Sequence, residues 1–114
     1  MTIESFLLKI RETPEQILFT EVIDLIDKFY TFSPTTFKNG NTINYEGQNS
    51  GSCKLFSFAK LQNLSQEQTL HCFGDFYRKD VLEFPEKEDH LNIRNFMLFG
   101  WSGISFEQVS LTKK

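Results

Sequence analysis

Apolar positions recur with helical period over much of this chain. Ile3, Phe6, Leu7 and Ile10 fall at i, i+3, i+4 and i+7, one stripe of a first helix that Thr2 can cap. Thr13-Pro14-Glu15-Gln16 is a second start signal. Thr caps, Pro takes the first helical position, and Gln16 can close a capping box. The helix behind it is expected to reach about Phe29. Its apolar set runs from Ile17, Leu18 and Phe19 through Val22, Ile23, Leu25 and Ile26 to Phe29. That stripe is wider than one face, which predicts a central helix touched from two sides. Ser33-Pro34 stops it or starts one short turn.

The next stretch loses the periodicity. Thr36 to Asn44 is polar, with Asn39-Gly40 at its middle. Gly lacks a Cβ and Asn tolerates the left-handed region, so a small hairpin fits here, and so does an ordered loop. Glu46 to Ser52 is too polar and Gly-rich for a regular element. Ser50 or Ser52 can then cap a third helix from Cys53 to about Gln62, with Leu55, Phe56 and Ala59 inward. Ser65-Gln66-Glu67-Gln68 is another capping box, and the helix behind it puts Leu70, Phe73, Tyr77 and Val81 near one face. Gly74 inside that helix costs about 1 kcal/mol against Ala, which makes sense if another backbone packs closely there. Pro85 ends the segment. Asp89 can cap a fifth helix carrying Ile93, Phe96 and Met97, with Gly100 as its C-cap. The tail alternates as a strand does, through Ile104, Phe106, Val109 and Leu111. The expected fold is therefore α+β. Four to five helices pack on a small, mostly antiparallel sheet of two to four short strands, in a single domain over residues 1–114.

Composition sharpens this picture. Thirteen Phe, three Tyr and one Trp in 114 residues supply a core without metals or disulfides. The net charge is −3 and no Lys/Arg cluster exists, which argues against a nucleic-acid or anionic-membrane partner. The densest charge, Glu83 to Asp89, reads as a solvated loop. Two cysteines, Cys53 and Cys72, make no disulfide framework. No apolar run approaches a membrane span, and the first residues lack the pattern of a signal peptide. A cytoplasmic location is expected.

Six blocks carry a resemblance. They are Phe37-Lys38-Asn39-Gly40, Gly47 to Lys54, Leu64 to Leu70, Cys72 to Arg78, His90 to Met97, and Gly100 to Ile104. In order and over nearly the whole length, they resemble the HopJ family. The resemblance implies a protein related to a type III secreted effector of plant-pathogenic bacteria, and with it possible export. Relatives also occur in bacteria without an obvious host-injection lifestyle. It implies no catalytic residue, so the activity stays open. Type III export signals usually lie in a flexible, Ser-rich start, whereas this start reads as an amphipathic helix feeding the core.

The residues offer several candidate chemistries. Asn49-Ser50-Gly51-Ser52-Cys53-Lys54 is a Gly/Ser loop entering a helix. Such a loop presents free backbone N–H groups and the positive end of the helix dipole, the physics of anion binding. It is no P-loop, because Lys54 is not directly preceded by Gly. Capping alone also explains Ser and Gly at that place. Cys53 at a helix start would have a lowered pKa and be a nucleophile if His71 or His90 served as base; otherwise it is a small buried residue. His71 and Asp75 sit at i, i+4 and could share a metal, but no second ligand pair follows, so no metal site is expected. His90, Asn92, Arg94 and Asn95 open the fifth helix. Arg94 either grips an anion bidentately or fixes loop carbonyls. Trp101 lines a pocket or fills the core.

The main expectation is a binding module without a cofactor. Asn39, Asn49, Ser50, Ser52, Lys54, Tyr77, His90 and Arg94 would surround one polar pocket for a small anionic ligand or a peptide terminus. The alternatives are a protein-interaction or effector protein with part of its aromatic surplus exposed, and a small cysteine-dependent enzyme.

Overall fold

Thr2 caps α1 (Ile3–Glu12) as its sequence predicts. Its hydroxyl accepts from the Ser5 amide at 3.0 Å, while the Ser5 hydroxyl accepts from the Thr2 amide at 2.9 Å. In the computed structural model, which describes residues 1–114, this helix buries Phe6 and Ile10. Pro14–Gln16 forms only a 3₁₀ turn, and Thr13 makes no side-chain cap. The chain then extends through Ile17 and starts α2 (Phe19–Phe29) from Leu18, whose N–H donates to the Glu21 carboxylate at 3.0 Å.

Since α2 starts after Ile17 and Leu18, its apolar surface is narrower than the sequence stripe. It buries Val22, Leu25 and Ile26 on one face. The central helix is α3 (Ser50–Leu61), in which Cys53, Leu55, Phe56, Ser57, Phe58 and Ala59 are all buried. Five consecutive buried residues, Leu55 to Ala59, span more than one turn, so the middle of this helix is covered on every side. Phe56 is the hub of that packing. Its ring lies 4.9 Å from Phe96, 5.4 Å from Phe73, 6.2 Å from Phe37 and 6.4 Å from Trp101, centroid to centroid. Burying one such ring stabilises the fold by roughly 2–3 kcal/mol before entropy is subtracted. Of the thirteen Phe, only Phe76, Phe84 and Phe99 are exposed.

Two small antiparallel sheets complete the α+β architecture. β1 (Tyr30–Phe32) follows α2 directly and pairs with β5 (Leu111–Lys113). β2 (Phe37–Asn39) is central in the other, between β3 (Thr42–Asn44) and β4 (Ile104–Phe106). The Asn39-Gly40 signal is thus a hairpin, with Gly40 in the turn at φ 60°. The tail is two strands rather than one, and Val109 between them points to solvent.

The capping box at Ser65 opens α4 (Gln66–His71), but this helix does not run on to Val81. It stops in a turn at Gly74, and Phe76–Val81 continues as π-helix. Arg78 closes this corner. Its guanidinium donates to the carbonyls of Pro14 (3.2 Å), His71 (3.1 Å) and Ile17, tying the 3₁₀ segment to α4. α5 (Leu91–Phe99) packs on β2 and ends at Gly100, at φ 62° and ψ −156°, a region essentially restricted to glycine. Its Met97 faces outward rather than inward.

Gly74 is where another backbone approaches, as its place in an apolar helix pattern suggested. Its φ is 62°, and an added Cβ would lie 2.8 Å from the Phe19 amide nitrogen. Backbone on that side cannot step aside as a side chain can. Gly74→Ala is expected to destabilise the protein by roughly 2–3 kcal/mol, through strain and overpacking together. A urea midpoint within error of the unsubstituted protein would contradict this.

Candidate functional site

Five asparagines link the β2–β3 hairpin to the starts of α3 and α5. The Asn39 amide donates to the Asn92 backbone carbonyl at 2.8 Å and to its side-chain oxygen at 3.0 Å. Asn44 and Asn92 exchange a reciprocal pair of hydrogen bonds at 3.1 and 3.0 Å. Asn49 donates to the Asn44 side-chain oxygen at 2.7 Å. Asn95 donates to the Asn39 carbonyl at 3.1 Å and to the Thr42 hydroxyl at 2.8 Å. Asn39, Asn44, Asn92 and Asn95 are buried. An uncharged amide suits the two central positions, since the Asn44 and Asn92 side chains each donate and accept, while Asn39 and Asn95 serve as donors. The side-chain oxygen of Asn39 is the one buried side-chain polar atom left without a protein partner.

This network brings two helix starts to one cleft. Asn49 precedes α3 at φ 51°, ψ 48°, and His90 precedes α5 at φ 51°, ψ 49°. Both residues are left-handed, a conformation that is uncommon for non-glycine residues and that asparagine tolerates best. An ordinary cap is extended, and its side chain satisfies a first-turn amide. Here neither helix start has a side-chain cap. The amides of Ser50, Gly51 and Ser52 in α3, and of Leu91 and Asn92 in α5, make no hydrogen bond to the rest of the chain. Ser50 and Ser52 are therefore first-turn residues of α3 and not its cap.

The cleft has a volume of about 420 Å³. Thr42, Asn44, Asn49, Gly51 and Ser52 line one side; His90, Leu91, Asn92 and Ile93 line the other. Phe19, Phe73 and Phe76 form an aromatic wall, with Phe19 stacked on Phe73 at 6.1 Å and edge-on to Phe76 at 5.3 Å. His90 leans on Phe76 and holds Asp80 at 3.0 Å. No Lys or Arg lines the cleft.

Of the residues the sequence singled out, Asn49, Ser52 and His90 line this cleft, and Asn39 lies behind it, buried in the network. The others are elsewhere. Lys54 points away, paired with Asp27 at 2.8 Å and resting over the Phe32 ring. The position follows from helical geometry, because Lys54 lies two residues after the cleft-lining Ser52, about 200° around the helix. Arg94 fixes loop carbonyls rather than an anion. It donates to Asp89, Pro85 and Phe84 carbonyls at 2.6, 3.2 and 3.0 Å, and to the Asp89 carboxylate at 2.7 Å. Tyr77 packs edge-on against His71, away from the cleft. Ser50 stands in the first turn without lining it. Asn44 and the three Phe were missed. Asn44 sat at a strand end read for its turn, and a Phe wall leaves no local signal distinct from core.

Cys53 is 1% exposed, and burial pushes its thiol pKa up, against weaker hydrogen bonding from Ser110. Cys72 is fully buried and its pKa is pushed up to about 12 by burial. Neither is an activated thiolate, and no histidine serves Cys53 as base: His90 holds Asp80, while His71 faces Arg78. That cation at 3.3 Å also occupies the His71 ring nitrogen, and burial lowers its pKa. No three His, Cys, Asp or Glu side chains gather as a metal site. A larger recess, about 620 Å³ beside Lys60 and Phe106–Leu111, has Ser57 and Ser110 in its wall. Those two hydroxyls bond each other, so it presents no comparable set of free donors. No helix is long and apolar enough to cross a membrane.

Two outcomes test these assignments. Asn92→Ala removes the hub and leaves the buried amide groups of Asn39 and Asn44 short of acceptors. It should cost roughly 2–4 kcal/mol in urea unfolding, and a loss below half of that would make the network incidental. Arg94 holds the Asp89 carboxyl below its ordinary value of 3.8, chiefly by their hydrogen bond. The sign follows from linkage. This contribution is complete above the unfolded aspartate's pKa and is lost as pH falls through the lower folded value. Arg94→Ala should return Asp89 to ordinary titration by NMR and speed amide exchange across residues 84–90. An unshifted Asp89 would remove Arg94 as the cause.

The comparisons agree with this architecture. Over its full length the chain superposes on a crystal structure described as "unknown function protein VPA0580", with a TM-score of 0.98 and 50% identity, covering 95% of that chain. No curated protein matches. The family model described as "HopJ type III effector protein" matches residues 3–111, nearly the entire chain, and the protein belongs to the HopJ family.

Proposed function

We propose that the protein is a binding module whose cleft takes a small ligand with a singly charged anionic head, of which a carboxylate or peptide C-terminus is the type, and an apolar body. One observation carries this reading: two helices start, uncapped, on the same cleft. Free amides with converging dipole ends favour negative charge there. The absence of Lys and Arg from the lining, with Asp80 held by His90 nearby, favours one negative charge over several. The Phe19, Phe73 and Phe76 wall suits an apolar body, and mixed linings of this kind are usual for small-ligand sites. Effector-type activity within the HopJ family then means recognition through this cleft rather than cysteine chemistry.

Ser52→Asp separates fold from function. An acidic residue in the first turn favours the α3 dipole, so stability should hold or rise slightly. The same charge would occupy the cleft and repel an anion. Hydrophobic amino acids blocked at the amine and aromatic carboxylates are the probes, read by calorimetry and thermal melts. At least one should bind the unsubstituted protein and lose at least about tenfold in affinity to Ser52→Asp, roughly 1.4 kcal/mol. Binding that survives the substitution would put the ligand elsewhere, and silence across the panel would refute the carboxylate reading.

A further inference from the structure

On the flank of α5 away from the hairpin, a second recess of about 320 Å³ runs between α5 and the end of the π-helical segment. Val81, Leu82, Pro85, Met97 and Leu98 line it, with the Arg94 side chain. Leu98 is 77% exposed, and Leu82, Phe84 and Met97 beside it are exposed too. Contiguous apolar exposure on one flank is unusual for a surface that meets only water.

Charge identifies the partner's chemistry. Between Asp80 and Phe99 the chain carries five acidic and two basic residues, an excess of three equal to the formal net charge of the whole protein. The two cations are committed: Arg94 to Asp89 and the loop carbonyls, Lys87 over the Phe84 ring at 4.4 Å. Asp80 and Asp89 are likewise paired with His90 and Arg94. Glu83, Glu86 and Glu88 are exposed and form no ion pair. The apolar recess is therefore bordered in sequence and space by a loop whose free charges are all negative. A second copy or an anionic lipid surface would be repelled there. No strand edge borders the recess, which leaves helix-in-groove docking as the fitting mode.

The geometry points to this face as the docking site for a basic amphipathic helix of a partner protein. The partner's apolar stripe sits on Leu82, Met97 and Leu98, and its Lys or Arg residues meet Glu83, Glu86 and Glu88. The glutamates set encounter rate and selectivity, and the apolar side chains hold the complex.

A model helical peptide with a Leu stripe and Lys on its polar face serves as probe, with a Glu-for-Lys counterpart as control. In an NMR titration the basic peptide should shift resonances of Leu82, Met97 and Leu98, and bind more weakly as salt rises. The acidic counterpart should bind at least about tenfold more weakly. Glu83→Gln, Glu86→Gln and Glu88→Gln together touch only exposed, unpaired side chains and should leave the melt unchanged while removing most of the salt dependence. Leu98→Ser should weaken the complex at every salt concentration. Equal binding of both peptides, shifts confined to another surface, self-association through Leu98, or attachment to anionic vesicles would each overturn the assignment.

Discussion

Buried amide-to-amide hydrogen bonding, with Asn92 as its hub, is the constraint on which the rest of this architecture depends. Asn39 and Asn44 belong to a hairpin whose three-residue strands are too short to hold a position by ladder bonds alone. Asn92 receives donors from both and donates back to Asn44, while Asn95 reaches the Asn39 carbonyl. The hairpin is thereby fixed to the first turn of α5, and through Asn49 to the first turn of α3. Each bond contributes only about 1 kcal/mol net, but removing one member strands the others in a dry interior. That asymmetry makes the set act as a unit.

The same network explains two strained residues. Asn49 and His90 are held left-handed at equivalent places, directly before helices that the asparagines draw together. A conventional Ser or Asp cap would satisfy the first-turn amides and relax the backbone, at the expense of a cleft lined by free donors. Reciprocal boxes at Thr2–Ser5 and Ser65–Gln68 cap α1 and α4, α2 starts from Leu18 with only Glu21 closing back on its amide, and none of these three starts is left-handed. The contrast within one molecule is what singles out α3 and α5. Strain of this kind persists only where surrounding structure over-determines it.

Much of the fold was legible because its signals are local. The α1 stripe, the Ser65 box, the hairpin at Asn39-Gly40 and the glycine that ends α5 each follow from the chemistry of a few adjacent residues. Gly74 was read correctly as a close approach but not as a helix end, because a pattern of apolar spacing does not distinguish a π-helix from the helix before it. The centrality of α3 was hidden by its modest apolar stripe: Ser57 and Cys53 are buried there as small residues, which no periodicity announces. At the site, the Asn39–Lys54 and His90–Asn95 stretches were expected to converge because both depart from periodicity, and parts of each, Thr42 to Ser52 and His90 to Ile93, line the cleft. The cations were not. Lys54 and Arg94 looked available because their acceptors, Asp27 and the Phe84–Asp89 loop, are partners that sequence spacing does not reveal.

Helix α5 carries both surfaces, and its geometry keeps them apart. Asn92, Ile93, Asn95 and Phe96 form its buried stripe, clamped by the hairpin amides on one side and by the Phe56 hub on the other. Its uncapped first turn opens into the cleft, whereas Met97 and Leu98 face out near its other end. Buried hydrogen bonds and aromatic packing hold this helix along its inner face, so a ligand in the cleft meets a helix start that is already in place. The segment best able to transmit a signal between the cleft and the apolar face is the Phe84–His90 loop. Arg94 ties its two ends together, through Phe84 and Pro85 at the start and Asp89 near the finish, the His90–Asp80 pair adds a second tie, and the loop supplies both the cleft's imidazole and the free glutamates. Any coupling between the two surfaces has to pass through those exposed ion pairs, which water and salt weaken, and so it is small.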